Sequence, residues 1–389
     1  MKSMPMIDLL HFFILLGLLL ITSNYLLNLK VFRFPKIDFV VNPPPKISVL
    51  IPARNEELRL RPCLSTLSDS DYPILEILVL DDHSTDGTAR LVEQRSKGDP
   101  RIRLLSGQSL PQGWVGKPWA CHQLSREAKG DYLLFVDADT RFSDITIAHA
   151  VNLAHEHQAD LISLWPFQES LSWSECLIIP FVHLFILFYL PHWARGSLRC
   201  LGAANGQFVL FRRESYKRIK GHESVRDHMV EDIAIARNMR EAGFKVLNLD
   251  GTNPGHSIAL VRCRMYNCFS EVWEGFTKNL YPSFDGNFPA FLFFQMIQVV
   301  IFLTPFLLLL TPFRGPLVWT EVAIILALRL SLAHRFRQSY LGAFLHPFGQ
   351  ILVLIIAFNS WLQTLRGRLP WKGRHYPRTA ATADSFTSP

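Results

Sequence analysis

The chain has 389 residues, 49% hydrophobic and 12% aromatic, with a net charge of +7 and a pI near 9.1. That length fits one large domain or two modest ones. The positive balance suits an anionic lipid surface or an anionic ligand, and the scattered charge, with no basic stripe interleaved with aromatics, argues against nucleic acid.

Ile7 to Leu29 is apolar and, at about 1.5 Å per residue, reaches roughly 34 Å, enough to cross a membrane. A signal peptide is disfavoured, because the basic segment ahead of it is a lone Lys2 and no A-x-A site follows. Lys30, Arg33, Lys36 and Lys46 come next, which places the following segment in the cytoplasm.

From Lys46 strands and helices alternate. KISVLIP, LEILVLDD, RIRLL and DYLLFVDAD read as four strands. Helices are expected from Glu56 to about Leu67, from Gly87 to Ser96 with Asp86 as N-cap, and over KPWACHQLSREAKG, closed by Gly130. Continuous apolar runs alternating with helices predict a parallel sheet covered on both faces. Arg54-Asn55-Glu56, Asp81-Asp82 and Asp137/Asp139 each follow a strand, and ligands bind outside the carboxyl ends of such strands. Two carboxylates as close as Asp137 and Asp139 repel unless a cation separates them; Mg²⁺ or Mn²⁺ fits, leaving room for phosphate oxygens. A third acidic cluster, Glu231-Asp232, opens a helix that Gly243 closes. Its charges also suit a helix N-terminus without any further role.

CLIIPFVHLFILFYL (Cys176 to Leu190) is apolar but short and interrupted by Pro180. It lies between the carboxylates of strand four and Glu231-Asp232, so a single crossing would separate them; it is expected in the membrane interface, or dipping in and returning. Phe291 to Phe313 and Tyr340 to Leu362 are two more candidate spans. Leu317 to Leu332 is short and carries Glu321 and Arg329, which allows a crossing inside a bundle with paired charges, or a re-entrant segment. The tail bears Arg366, Arg368, Lys372, Arg374 and Arg378 and is expected on the cytoplasmic side. The six cysteines form no CxxC pair, so reduced and mostly buried thiols are expected. His149, His155 and His157 read as an exposed helix face rather than a metal site.

VLIPARNEE, VLDDHSTDGT, GKPWA, DYLLFVDADT, GAANGQFVLFRR and MVEDIAIARNMREAGFKV occur in the order found in glycosyltransferase family 2, and the match runs from about Lys46 to Leu249. The later RMYNCFSEVWEGFTKNLYP resembles membrane-bound relatives associated with carotenoid and hopanoid glycosylation. The resemblance implies an α/β, Rossmann-like GT-A nucleotide-sugar-binding domain with inversion at the anomeric carbon. It implies Asp81 or Asp82 on the base and ribose, with Pro52, Ala53, Arg54 and Glu56 framing that pocket. It further implies Lys117 on the diphosphate, Asp137 and Asp139 on Mg²⁺ or Mn²⁺, and Asp232 as the general base. The Q/R-x-x-R-W motif of processive synthases is absent; Trp273, Glu274, Lys278 and Asn279 stand there, and Lys278 or Arg264 could offset diphosphate charge.

The expected organisation is a membrane helix at 1–30, a cytoplasmic GT-A domain at 46–285 with an interfacial segment at 176–190, two to three spans at 291–363, and a basic tail at 364–389. The expected activity is transfer of a hexose from a UDP- or GDP-sugar to the hydroxyl of a membrane lipid, carotenoid or hopanoid first, at the cell membrane and without nucleic acid. Alternatives are transferases acting on polyprenyl phosphate, ceramide or diacylglycerol, and a silent nucleotide-binding scaffold.

Overall fold

The computed structural model describes residues 6–34, 40–194, 203–252 and 259–376. The strands are β1 (Ile47–Ala53), β2 (Glu76–Asp81), β3 (Ile102–Ser106), β4 (Tyr132–Val136), β5 (Thr140–Phe142), β6 (Leu161–Trp165), β7 (Phe167–Gln168), β8 (Phe208–Arg212), β9 (Val246–Asp250), β10 (Val261–Cys263), β11 (Leu369–Trp371) and β12 (Arg374–Tyr376). Seven make the central sheet, in the order β3-β2-β1-β4-β8-β6-β9.

Strand periodicity explains why this sheet is buried on both sides. Ile47, Val49, Ile51, Ile77, Val79, Leu134 and Val136 point into one core, with the Glu57–Ser68 helix. The alternate residues Leu50, Leu78, Leu80, Leu133 and Phe135 point into the other, with the Gly116–Glu127 and Glu231–Glu241 helices. Each such side chain contributes about 1.5–3 kcal/mol on burial.

The four expected strands pair in parallel, as read. The sheet as a whole is mixed, because β8 runs antiparallel to both β4 and β6. Phe208 thereby pairs with Val136, bringing the turn before β8 to the carboxyl end of β4. The Gly116–Glu127 helix ends before Gly130, whose N–H is taken by the Ser48 hydroxyl at 2.8 Å. Gly107, Gly130 and Gly251 pack close to backbone, whereas Gly243 (φ +84°) closes the Glu231–Glu241 helix, its N–H donating to Arg240 O. The helix expected from Gly87 runs Thr88–Ser96, with Asp86 Oδ1 accepting from Thr88 N–H at 3.0 Å.

Among the described residues, four helices are long and apolar enough to cross a membrane: Met6–Val31, Phe288–Leu308, Pro316–Arg335 and His346–Leu365. The short segment around residues 317–332 is thus a full 20-residue helix. Its Glu321 meets His11 at 2.8 Å, and the Arg329 guanidinium lies 5.2 Å from the Phe181 ring centroid. The stretch read as one span from Tyr340 divides at Leu345 into Tyr340–Phe344 and His346–Leu365, with Pro347 in the second helix's first turn, where its missing N–H costs least.

The Pro-interrupted stretch forms two consecutive helices, Trp173–Ile178 and Pro180–Tyr189, broken where Pro180 has no N–H to donate. Phe181, Leu184, Leu187 and Phe188 are buried against the N-terminal and C-terminal helices. Asn24 Nδ2 donates to Phe188 O (2.9 Å), and Asn28 Nδ2 to Leu187 O and Leu190 O (2.8 and 2.7 Å). A capping box joins Ser172 to Glu175, which also receives Arg264 at 3.1 and 3.3 Å. The tail is not merely a basic extension: β11 and β12 form a hairpin on the domain.

Candidate active site

The strand ends meet as expected. Asp82 N–H donates to Ala53 O at 2.8 Å, and Arg54 Nη1 to Asp82 O at 2.6 Å. Pro52 and Ala53 end β1 and form the floor beneath them. Asp81 Oδ1 is buried without a partner, while Oδ2 accepts weakly from Ser84 N–H at 3.4 Å. Glu56 is buried at the N-cap of the Glu57–Ser68 helix and is engaged by Lys372.

At the end of β4, Asp137 Oδ1 lies 2.7 Å from Lys117 Nζ, and the same Nζ lies 2.9 Å from Glu231 Oε1. Burial pushes the Lys117 ammonium down, but Asp137 and Glu231 outweigh it and hold it well above the ordinary lysine range. Glu231 is pushed up by burial and pulled below the usual range by Lys117.

Asp232 is held by two backbone donors, Gly206 N–H on Oδ2 and Ile233 N–H on Oδ1, both at 2.8 Å. Burial and the neighbouring Glu231 raise its carboxyl to about 6, against Lys117 and those two donors. Gly206 is needed here for closeness: a Cβ would stand 3.0 Å from Lys117 Nζ and 3.2 Å from Asp232 Oδ2. Lys117, Asp137, Gly206, Glu231 and Asp232 line one cleft, so the acids separated by almost a hundred residues face each other.

Asp139 sits deeper. Its Oδ1 is buried with no partner, and burial, then Asp137 and Glu56, push the carboxyl up to about 7. That is the signature of carboxylates gathered without enough positive charge.

Of the two cations considered for the diphosphate, Lys278 feels the charges of Glu231, Asp232 and Asp137, and Arg264 those of Glu175, Glu169 and Glu271. Burial pulls the Lys278 ammonium below its ordinary range, opposed by Glu231 and reinforced by Lys117. Arg264 is spent on Glu175. Gly206, Trp371, Lys372 and Arg374 are not recognisable as neighbours of this site from the sequence. Gly206 lies inside the quoted GAANGQ motif, but nothing local shows that it faces Lys117; the hairpin residues lie beyond the last apolar helix and carry no local signal of their destination.

The family model for glycosyl transferase family 2 matches residues 48–219. This chain carries a family 2 glycosyltransferase domain. A 4,4'-diaponeurosporenoate glycosyltransferase from Staphylococcus aureus is 26% identical over 344 residues, covering 85% of this chain and 88% of the relative. The protein of that name from Staphylococcus haemolyticus is 26% identical over 270 residues, covering 67% and 68%. A mannosyltransferase from Pyrobaculum calidifontis, solved with GDP-Man and Mn²⁺, superposes with a TM-score of 0.53 at 17% identity, covering 91% of this chain and 95% of that one. The fold is GT-A, and the enzyme is a glycosyltransferase with apolar helices suited to membrane association.

Proposed function

We propose that this glycosyltransferase moves a hexose from a UDP- or GDP-sugar to the hydroxyl of a membrane lipid, a terpenoid such as a carotenoid or hopanoid, with inversion. The observation that carries the reading is the cleft in which Lys117 joins Asp137 to Glu231 while Asp232 stands beside it. A single displacement needs one anion site under the leaving group and one base opposite, roles that Lys117 and Asp232 would fill in this reading.

In this reading Asp81 or Asp82 recognises the nucleoside, framed by Pro52, Ala53, Arg54 and Glu56. Asp137 and Asp139 hold Mg²⁺ or Mn²⁺. The fit rests on two crowded carboxylates, one with a buried unpartnered oxygen, a donor set that leaves coordination positions for phosphate oxygens. Bound there, the ion would stabilise charge on the departing nucleoside diphosphate. Lys117 places a fixed cation between the two halves of the site. Asp232, oriented by Gly206 and Ile233, takes the hydroxyl proton as the oxygen attacks the anomeric carbon and the bond to the diphosphate breaks; such a base is worth about 10²–10⁴ in rate. Lys278, within reach of the charges of Glu231, Asp232 and Asp137, would offset charge on the departing diphosphate.

One observation favours a second reading of the nucleophile. The name of the staphylococcal relatives denotes a carotenoid carboxylate. A carboxylate arrives ionised and needs no base.

The proposed topology has three crossings, by the helices Met6–Val31, Phe288–Leu308 and Pro316–Arg335, with the catalytic domain and the tail cytoplasmic. The last long helix would lie along the interface. In support, it stays on the domain along its length: Gly349 packs on Leu177 O, Asn359 bonds Thr277, Ser360 bonds Tyr281 N–H, and Leu369 beyond it packs with Val115 and Met229. Phe348, Ile351, Ile355 and Phe358 leave one apolar stripe exposed. Cysteine labelling from either side of sealed vesicles tests this; a tail labelled only from outside refutes it.

The function is tested with membranes containing the protein, radiolabelled UDP- and GDP-hexoses, and lipid extraction. Metal-dependent labelling of a lipid is expected. Labelling that persists fully in chelator counts against Asp137 and Asp139 as metal ligands.

A further inference from the structure

We infer that the C-terminal hairpin is a strap that competes with the donor's nucleoside for its pocket, an inference that rests on the nucleotide reading above. The strap is locally built. Trp371 pairs with Arg374 across Lys372 and Gly373, whose positive φ values (45° and 75°) make a tight two-residue turn matching the twist of the strands. Gly367, also at positive φ (60°), directs the chain off the end of the last long helix.

The strap then crosses the mouth of the site. Leu369 packs with Val115 and Met229, just before the acidic helix. The Trp371 ring centroid lies 4.4 Å from Lys278 Nζ. Lys372 engages Glu56, its Nζ donates to Arg54 O at 3.2 Å, and its carbonyl accepts from Arg54 Nε at 3.2 Å. Arg374 grips Asp82 with both prongs, at 2.5 and 2.9 Å.

Three of the residues that frame the nucleoside pocket are therefore spent on the strap. Asp82 and Glu56 keep only 7% and 8% of their surface. A base or ribose that hydrogen-bonds to Asp82 must first displace Arg374, because both carboxylate oxygens are taken. The exchange is feasible, since what the strap supplies is N–H donors and positive charge, and the donor with its cation supplies N–H, O–H and positive charge in return. Little apolar surface beyond Leu369 and Trp371 holds the strap down.

A strap closed about nine-tenths of the time would weaken the apparent nucleotide affinity about tenfold. The test titrates the full-length protein in nanodiscs, with Mn²⁺, with UDP and with GDP. Arg374→Gln, and a chain ending at Arg368, should each bind the preferred nucleotide about tenfold tighter. Arg374→Lys, which keeps the charge and loses the fork, should fall between them and the wild type. In the wild-type protein, nucleotide should speed hydrogen exchange of the amides of residues 369–376. Unchanged or weaker binding in Arg374→Gln and in the shortened chain, with strap exchange slowed by nucleotide, would make the hairpin a fixed wall and overturn the inference. No binding of UDP or GDP by any variant would overturn the nucleotide reading beneath it.

Discussion

Replacing Asp232 with Asn separates chemistry from binding and from folding. Burial and the neighbouring Glu231 raise the Asp232 carboxyl to about 6, against Lys117 and two backbone donors. A carboxyl raised on folding favours the folded state most below its unfolded value, and that contribution fades as pH climbs through about 6. At neutral pH the ionised Asp232 therefore opposes folding, offset in part by Lys117. The Asn variant keeps an oxygen for Gly206 N–H or Ile233 N–H, drops the ionisation penalty and loses the attraction to Lys117. Its melting temperature at pH 7.5 should stay within a few degrees of wild type. Nucleotide affinity should be unchanged, while turnover onto a hydroxyl acceptor should fall by about 10²–10⁴. In the wild-type protein kcat/KM should climb with pH to a plateau above about 6, and the variant should lack that limb. The assay is transfer of labelled hexose into extracted lipid, with nucleotide titrations and melting curves beside it. Activity within threefold of wild type would refute the base role and favour a carboxylate nucleophile.

Manganese should raise the melting temperature of the wild-type protein, by the equivalent of about 2.7 kcal/mol at a hundredfold excess over its dissociation constant, and should not do so in the Asp137→Asn, Asp139→Asn double variant. Gly206→Ala should slow transfer about tenfold or more, because the new methyl presses on Lys117 Nζ and Asp232 Oδ2; steady-state kinetics would show a kcat effect with little change in donor KM. Glu175→Ala should destabilise the protein by about 1–3 kcal/mol in chemical unfolding, since it removes the capping box from Ser172 and the carboxylate partner of a partly exposed Arg264. Asn28→Ala should cost about 1–3 kcal/mol, because Leu187 O and Leu190 O lose their donor.

The four parallel strands were legible because each is a short apolar run with a polar cluster at its end. The convergence of Arg54, Asp82, Asp137 and Asp139 followed from strand polarity alone. β8 was not legible as antiparallel: FVLFR buries like its neighbours, and its direction is set by where the chain re-enters after the apolar helices rather than by its residues. Lys278 was indistinguishable from Arg264 in sequence, since both are cations near the last segment of the domain; only tertiary packing sends one to Glu231 and the other to Glu175. The hairpin read as a solvated basic tail because its partners, Glu56 and Asp82, lie some three hundred positions away in the chain.

The asparagines of the first helix fix more than stability. Asn24 and Asn28 fasten that helix to the carbonyls closing the Pro180–Tyr189 segment, and Arg335, at the end of another apolar helix, ties to Asp250 at the edge of the sheet. In the membrane topology proposed above, the cleft would thus be bolted at one height above the bilayer instead of swinging on a tether. On the lipid-acceptor reading, an acceptor would have to raise its reactive end to that height, and the enzyme would select lipids by how far their head groups stand out of the hydrocarbon as well as by their chemistry.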